Sequence, residues 1–214
     1  MILHSFWLSL ATYRVRIALN LKRVAFEERT HDLLQGEQHA AAFRAVNPAG
    51  AVPALEGATP EPLTQSLAIL EWLEETYPTP ALLPQGAAAR ARVRALAALI
   101  GCDVHPINNR RILMRLRQQF GADEAAVNAW CATWISAGFD AFEALLAQDS
   151  QRGDFCFGGA PTLADAYLVP QVESARRFGV DMGAWPLISA VDAACARLPA
   201  FARAAPLAQP DAAG

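Results

Sequence analysis

Asn47-Pro48-Ala49-Gly50-Ala51-Val52-Pro53-Ala54-Leu55 and, further on, Gln65-Ser66-Leu67-Ala68-Ile69-Leu70 are the stretches from which the fold is read. The Val52-Pro53 bond follows a glycine-containing loop and enters a strand-like run, a setting that predicts the otherwise rare cis isomer. That isomer turns the N–H and C=O of Val52 outward, where an extended ligand can pair with them as one more strand would. Ser66 opens an amphipathic run, so its N–H and hydroxyl lie where helix N-termini bind anions. A proline turn followed by an ordinary N-capped helix accounts for either stretch taken alone. Together, in this order, they describe a seat for an extended anionic molecule.

Composition narrows the rest. With 214 residues, 53% of them hydrophobic, the chain can fill one large core or two modest ones. A net charge of −3, with no block of Lys and Arg, argues against a nucleic-acid footprint. The opening Met1-Ile2-Leu3-His4-Ser5-Phe6 has neither a basic leader nor a small-residue cleavage site and reads as a first strand. Apolar runs such as 95–100 are too short to span a bilayer, so no membrane association and a cytoplasmic location are expected. Cys102, Cys131, Cys156 and Cys195 form no C-x-x-C pair and have no His at metal-ligand spacing. They read as structural thiols in a reducing compartment, and no metal site is expected.

Strand-like and helix-like segments alternate as far as residue 77. Residues 1–6 are β-like, 11–21 helical on Val15, Ile17, Ala18, Leu19 and Leu21, 27–31 a second strand, and 37–46 a short helix. Residues 52–56 and 62–63 are two more short strands, and 66–77 is a closing helix. Pro78, Pro80 and Pro84 then break the pattern. The predicted organisation is a first domain over 1–78, a linker over 79–86 and an all-helical domain over 87–214. Within the latter, 88–120 reads as one helix that Pro106 bends or locally opens rather than ends, and 123–147 as a second. Thr162-Leu163-Ala164-Asp165 has the form of a capping box, in which Asp165 is a structural cap rather than a catalytic carboxylate. A last helix is expected over 187–197, and the Ala/Pro-rich tail from Ala204 should be loosely held.

A β-α-β-α-β-β-α domain followed by a helical one resembles the cytosolic glutathione transferases, an α/β thioredoxin-like N-terminal domain plus an all-α C-terminal domain. The closest likeness is to their zeta class, which includes bacterial glutathione-dependent maleylpyruvate and maleylacetoacetate isomerases. It rests on Tyr13-Arg14-Val15-Arg16-Ile17-Ala18-Leu19, on the two opening stretches, and on Gly101-Cys102-Asp103-Val104-His105-Pro106-Ile107-Asn108-Asn109-Arg110-Arg111. Leu168-Val169-Pro170-Gln171-Val172-Glu173-Ser174-Ala175-Arg176-Arg177-Phe178 completes the set.

The resemblance implies glutathione as coenzyme and puts the thiolate-activating hydroxyl at Ser9, with Leu10 and Ala11 in the same loop. A hydroxyl donor and a helix N-terminus both favour a thiolate over a thiol of ordinary pKa, about 8.5. Ser9 also reads as a plain N-cap. By the same resemblance Gln38 holds the glycine end of the tripeptide, Val52, Pro53, Gln65 and Ser66 its backbone and γ-glutamyl end, and Asp103, His105, Asn108 and Arg110 line the site from the helical domain. His105 reads equally as a core histidine. Arg177 matches the position that binds a substrate carboxylate, a task for which a guanidinium fork is suited. Arg176 is its neighbour but points about 100 degrees away on a helix.

Two departures stand out. The class carries Ser-Ser-Cys where this chain has Ser9-Leu10-Ala11, and similar isomerases carry an arginine, a further grip on a carboxylate, where it has Leu8. Losing a charge-assisted hydrogen bond costs about 1.5–3 kcal/mol. The implied reaction is a cis-to-trans isomerisation of a small dicarboxylic diketo acid, by addition of glutathione thiolate, rotation and expulsion. A second reading is conjugation of glutathione to a small electrophile or its dehalogenation; a third is a non-catalytic protein that keeps the fold. The family also implies a homodimer and a small-molecule substrate.

Overall fold

The computed structural model describes residues 1–213, in two compact units: Met1–Leu82 together with the chain from Ala196 on, and Leu83–Cys195. The first holds β1 (Ile2–Ser5), α1 (Leu10–Leu21), β2 (Glu27–Thr30), α2 (Ala41–Val46), β3 (Ala54–Glu56), β4 (Leu63–Thr64) and α3 (Ser66–Thr76). Its sheet runs β2-β1-β3-β4, with β1 and β2 parallel and the other pairs antiparallel. Leu3 faces Leu55 across β1 and β3, and both are fully buried. The predicted helix over 37–46 is split: residues Glu37–His39 form a 3-10 turn, Ala40 is extended, and α2 starts afresh.

Charged groups tie this unit together alongside apolar ones. Lys22, at the end of α1, donates Nζ to Glu74 Oε2 (2.8 Å) and to the carbonyls of Tyr77 (2.6 Å) and Pro80 (3.0 Å). All three ammonium donors are thereby engaged. His4, buried on β1, joins its Nε2 to Glu56 (2.5 Å) and its Nδ1 to His31 Nε2 (2.8 Å). Burial, then charge on His4 and Arg29, lowers the pKa of His31 against the opposing pull of Glu37. The fold therefore favours neutral His31. Its contribution to stability is complete above the ordinary value of 6.5 and is lost as the pH falls through 6.5 toward the lowered one. Urea midpoints should show wild type losing more stability than His31→Gln between about pH 7 and about pH 5.

The tail is not loose. Pro199–Ala204 forms a helix, α9, against α1: Arg16 Nε donates to Ala204 O (3.1 Å) and Asn20 Nδ2 to Ala200 O (3.1 Å). Gln209 ties back to the carbonyls of Arg203 and Ala205. This segment packs with the first unit, although the sequence reading placed it in the helical domain.

The second unit contains α4 (Ala87–Ala98), α5 (Arg110–Phe120), α6 (Glu124–Gln148), α7 (Leu163–Arg177) and most of α8 (Pro186–Ala196). Pro106 opens the helix locally, as one of the two expected outcomes, but the helix also ends there and another begins. Upstream of Pro106 the chain widens into a π-helix, Leu99–Val104, closed by His105 N–H to Ile100 O (2.9 Å). A 3-10 turn, Pro106–Asn108, follows, and extended Asn109 then caps a new helix through its side chain. Proline lacks an N–H and crowds the preceding turn, so the regular hydrogen-bond ladder fails there. Two glycines fix the widened segment: a Cβ on Gly101 would lie 2.5 Å from Tyr167 of α7, and one on Gly138 of α6 would lie 2.2 Å from Val104. Asp165 accepts from Thr162 N–H (2.7 Å), Thr162 Oγ1 (2.8 Å) and Cys156 N–H (2.8 Å), completing the expected capping box. Among the described residues no helix is long and apolar enough to cross a membrane.

Candidate active site

Ser9 precedes α1 in extended conformation and caps it. Its Oγ accepts from Thr12 N–H (3.2 Å) and Thr12 Oγ1 (3.1 Å). Both contacts use oxygen lone pairs, so the hydroxyl hydrogen is left to donate elsewhere. Cap and donor are thus compatible roles of one side chain, and half-buried Ser9 keeps a route to a ligand. Thr12, fully buried, fixes the direction of the Ser9 hydroxyl; a threonine three residues into a helical run gives no sign of that in sequence.

Leu8 packs against the apolar cluster of Phe6, Phe43, Val52 and Ala54, which brings it to the same patch as Val52. Leu10 is buried in the core and Ala11 half-buried. Val52-Pro53 is cis, as expected. The N–H and C=O of Val52 have no hydrogen-bond partner among the described residues.

Gln65 sits at φ 68 and ψ 119, a conformation that costs a non-glycine residue about 1–3 kcal/mol and clusters at ligand sites. No side chain caps α3 after it, and no acidic residue occupies the first turn, so the N–H groups of that turn stay open. Buried Arg14 directs Nη1 toward the Ser66 Oγ (3.5 Å) at the same helix end. A guanidinium, a hydroxyl and an open helix N-terminus form a site for a carboxylate. Arg14 was not singled out in the sequence reading, which treated it only as part of a motif. Gln38, on the 3-10 turn, has Nε2 against His39 Nε2 (3.2 Å) and a buried Oε1 with no partner among the described residues.

The remaining candidates lie in the second unit. Asp103 is exposed on the π-helix and His105 half-buried at its end. Asn108 is 7% exposed, and neither amide atom has a partner among the described residues. Trp130 holds this turn by donating Nε1 to Ile107 O (3.1 Å). Arg110 starts α5. Arg177, the last residue of α7, lays its guanidinium over the Phe178 ring at 5.1 Å. Burial lowers its pKa, against Glu173 and Cys131. Arg176 is turned elsewhere, to Asp192 Oδ2 at 2.6 Å. Cys131 is fully buried, and burial pushes its thiol up to about 11 despite Arg177 and Arg117. Burial likewise raises Cys156, so neither supplies a nucleophile. No group of three His, Cys, Asp or Glu gathers at metal-binding distance among the described residues.

Residues 3–81 match the glutathione S-transferase N-terminal domain, and 124–206 the C-terminal domain. A maleylpyruvate isomerase of Ralstonia sp. is 64% identical over 99% of both chains. The holo structure of a maleylpyruvate isomerase described as a bacterial glutathione S-transferase of the zeta class superposes with TM-score 0.97, at 64% identity and 99% coverage of each chain. The maleylacetoacetate isomerase of Methylobacterium extorquens AM1, with malonate and GSH bound, superposes with TM-score 0.96 at 40% identity, again over 99% of each chain. This chain belongs to the zeta class of the glutathione S-transferase family.

Proposed function

We propose that this protein is a glutathione-dependent cis-trans isomerase of a small dicarboxylic diketo acid, maleylpyruvate or maleylacetoacetate, working as a cytoplasmic homodimer. The observation that carries the reading is the Ser9 hydroxyl, anchored by Thr12 with its hydrogen still available, in a chain 64% identical end to end with a maleylpyruvate isomerase.

The residues present fit glutathione. The open N-terminus of α3, with Ser66 and Arg14, suits its γ-glutamyl carboxylate. The unpaired backbone of Val52 suits its extended middle, and the orphaned Gln38 Oε1 can accept the amide N–H of its glycine residue. When bound, glutathione supplies a sulfur nucleophile that adds reversibly to the electron-poor double bond and is returned unchanged.

Ser9 donates its hydroxyl hydrogen to the sulfur and so favours the ionised form, helped by the positive end of α1. Arg177 binds one substrate carboxylate and stabilises charge that develops toward the dicarbonyl end, a positioned electrostatic effect. Asn108 offers two unpartnered amide atoms to the same polar chemistry. Leu8 puts an apolar side chain where similar isomerases have an arginine, which favours, as a second activity, conjugation or dehalogenation of a small electrophile.

Purified protein mixed with each diketo acid, with and without glutathione, tests the proposal by loss of substrate absorbance. No glutathione-dependent loss with either acid sinks it, and glutathione consumed in step with turnover replaces it by the second activity. Arg177→Ala should lower kcat/KM about 10- to 100-fold, the equivalent of one charge-assisted hydrogen bond. Steady-state rates over a range of acid concentrations check this.

A further inference from the structure

The turn that carries Ser9 is held from two sides by residues remote in sequence. Trp7 donates its N–H to Asp211 Oδ2 (2.9 Å), on the 3-10 turn Pro210–Ala213, and its carbonyl accepts from Arg16 Nη2 (3.1 Å). Arg16 is 1% exposed, and its other donors reach Ala204 O (3.1 Å) and Glu28 Oε2 (3.5 Å). A single residue two positions ahead of Ser9 therefore has its N–H and its C=O, in the two peptide units that flank its Cα, both fixed by charged side chains. The Ser9 N–H then closes the turn on Phe6 O (2.9 Å).

Asp211 is not placed as a casual surface contact. Its Oδ1 is buried without a partner among the described residues. A tail that only covered the surface would turn both oxygens to water; here hydration of one is given up while the other stays on Trp7. Burial depresses the pKa of Arg16, and Glu28 and then Asp211 oppose that shift, so the two carboxylates help keep the guanidinium charged inside the fold.

We infer that Asp211 is a positioning residue for the isomerisation: through the Trp7 N–H it sets the turn that presents the Ser9 hydroxyl to the thiol. The inference rests on the role proposed for Ser9. A C-terminal residue thereby enters the geometry of a site built at the opposite end of the chain.

Asp211→Ala removes the acceptor, whereas Asp211→Asn keeps an acceptor oxygen and drops the charge. The full chain with glutathione is titrated by the ultraviolet absorbance of its bound thiolate, and kcat and KM are measured in parallel. Asp211→Ala should raise the pH of thiol ionisation by about half a unit and lower kcat about tenfold, with KM for the diketo acid little changed. Asp211→Asn should stay within about twofold of wild type in kcat. A chain ending at Gln209 lacks the same acceptor and should reproduce Asp211→Ala in both readouts. Ionisation and kcat unchanged in Asp211→Ala, or lost as fully in Asp211→Asn, overturn the inference. A wild-type complex whose thiol ionises no lower than glutathione in solution overturns the reading of Ser9, and the inference with it.

Discussion

Ser9→Ala should lower kcat by about 10²- to 10³-fold, the usual loss when one positioned donor is removed from developing or stored charge. The thiol of the complex should also ionise at a higher pH, since only the end of α1 would remain to favour the anion. The substitution has a second effect that must be separated from the first. Ser9 Oγ accepts from Thr12 N–H, so alanine also deletes an N-cap, worth about 1 kcal/mol of stability. Thr12→Val provides the control: it leaves Ser9 as cap and donor but removes the hydroxyl that orients it. A fall of about tenfold or less is expected there. Were Ser9→Ala to lose stability as a missing cap predicts while thiol ionisation and kcat held, Ser9 would be a cap alone.

The order of elements in the first unit was legible because short strands and amphipathic helices alternate around proline and glycine breaks. Leu3, Ile17, Leu55 and Ile69, all fully buried, lie where periodicity puts a core. The capping box at Thr162 could be read for a similar reason, since it depends on residues three apart. Pro106 was read rightly as a place where the helix opens but not as its end, because a proline announces a fault in a helix without saying how the chain absorbs it. The answer lies in Gly101 and Gly138, whose missing Cβ atoms leave the space that Tyr167 and Val104 fill beside the widened turn. The tail was misjudged because its composition is weakly apolar, and its order comes from Arg16 and Asn20, nearly the whole chain away. Of the proposed site, Val52 and Ser66 could be marked from local pattern, and Ser9, Gln38 and Arg177 only through family resemblance. Arg14 and Asp211 could not, because each is placed by a contact with a residue remote in sequence, and Thr12, though only three residues from Ser9, gave no pattern of its own.

Lys22→Met should destabilise the protein by about 3–5 kcal/mol, as removal of one partner from a buried ion pair does. The side chain of Lys22 has no solvent exposure and that of Glu74 only 6%. Methionine fills the volume but donates nothing. The carbonyls of Tyr77 and Pro80 would lose their donor, and the Glu74 carboxylate would lose its cation while still receiving Leu82 N–H at 2.8 Å. For a chain of this size the midpoint of thermal unfolding should drop on the order of 10 °C. Because the ammonium joins the end of α1 to the end of α3 and to the proline segment beyond it, protease cleavage near residues 77–82 should rise in parallel. Adding Glu74→Leu removes the stranded charge, and apolar replacement of a whole buried pair is often neutral. Recovery should nonetheless be partial, since two carbonyls and the Leu82 N–H would still want partners. Urea unfolding of the two single variants and the double gives the coupling between Lys22 and Glu74 directly. A loss below about 1 kcal/mol in Lys22→Met would mean that water reaches this pair and that it behaves as an exposed one.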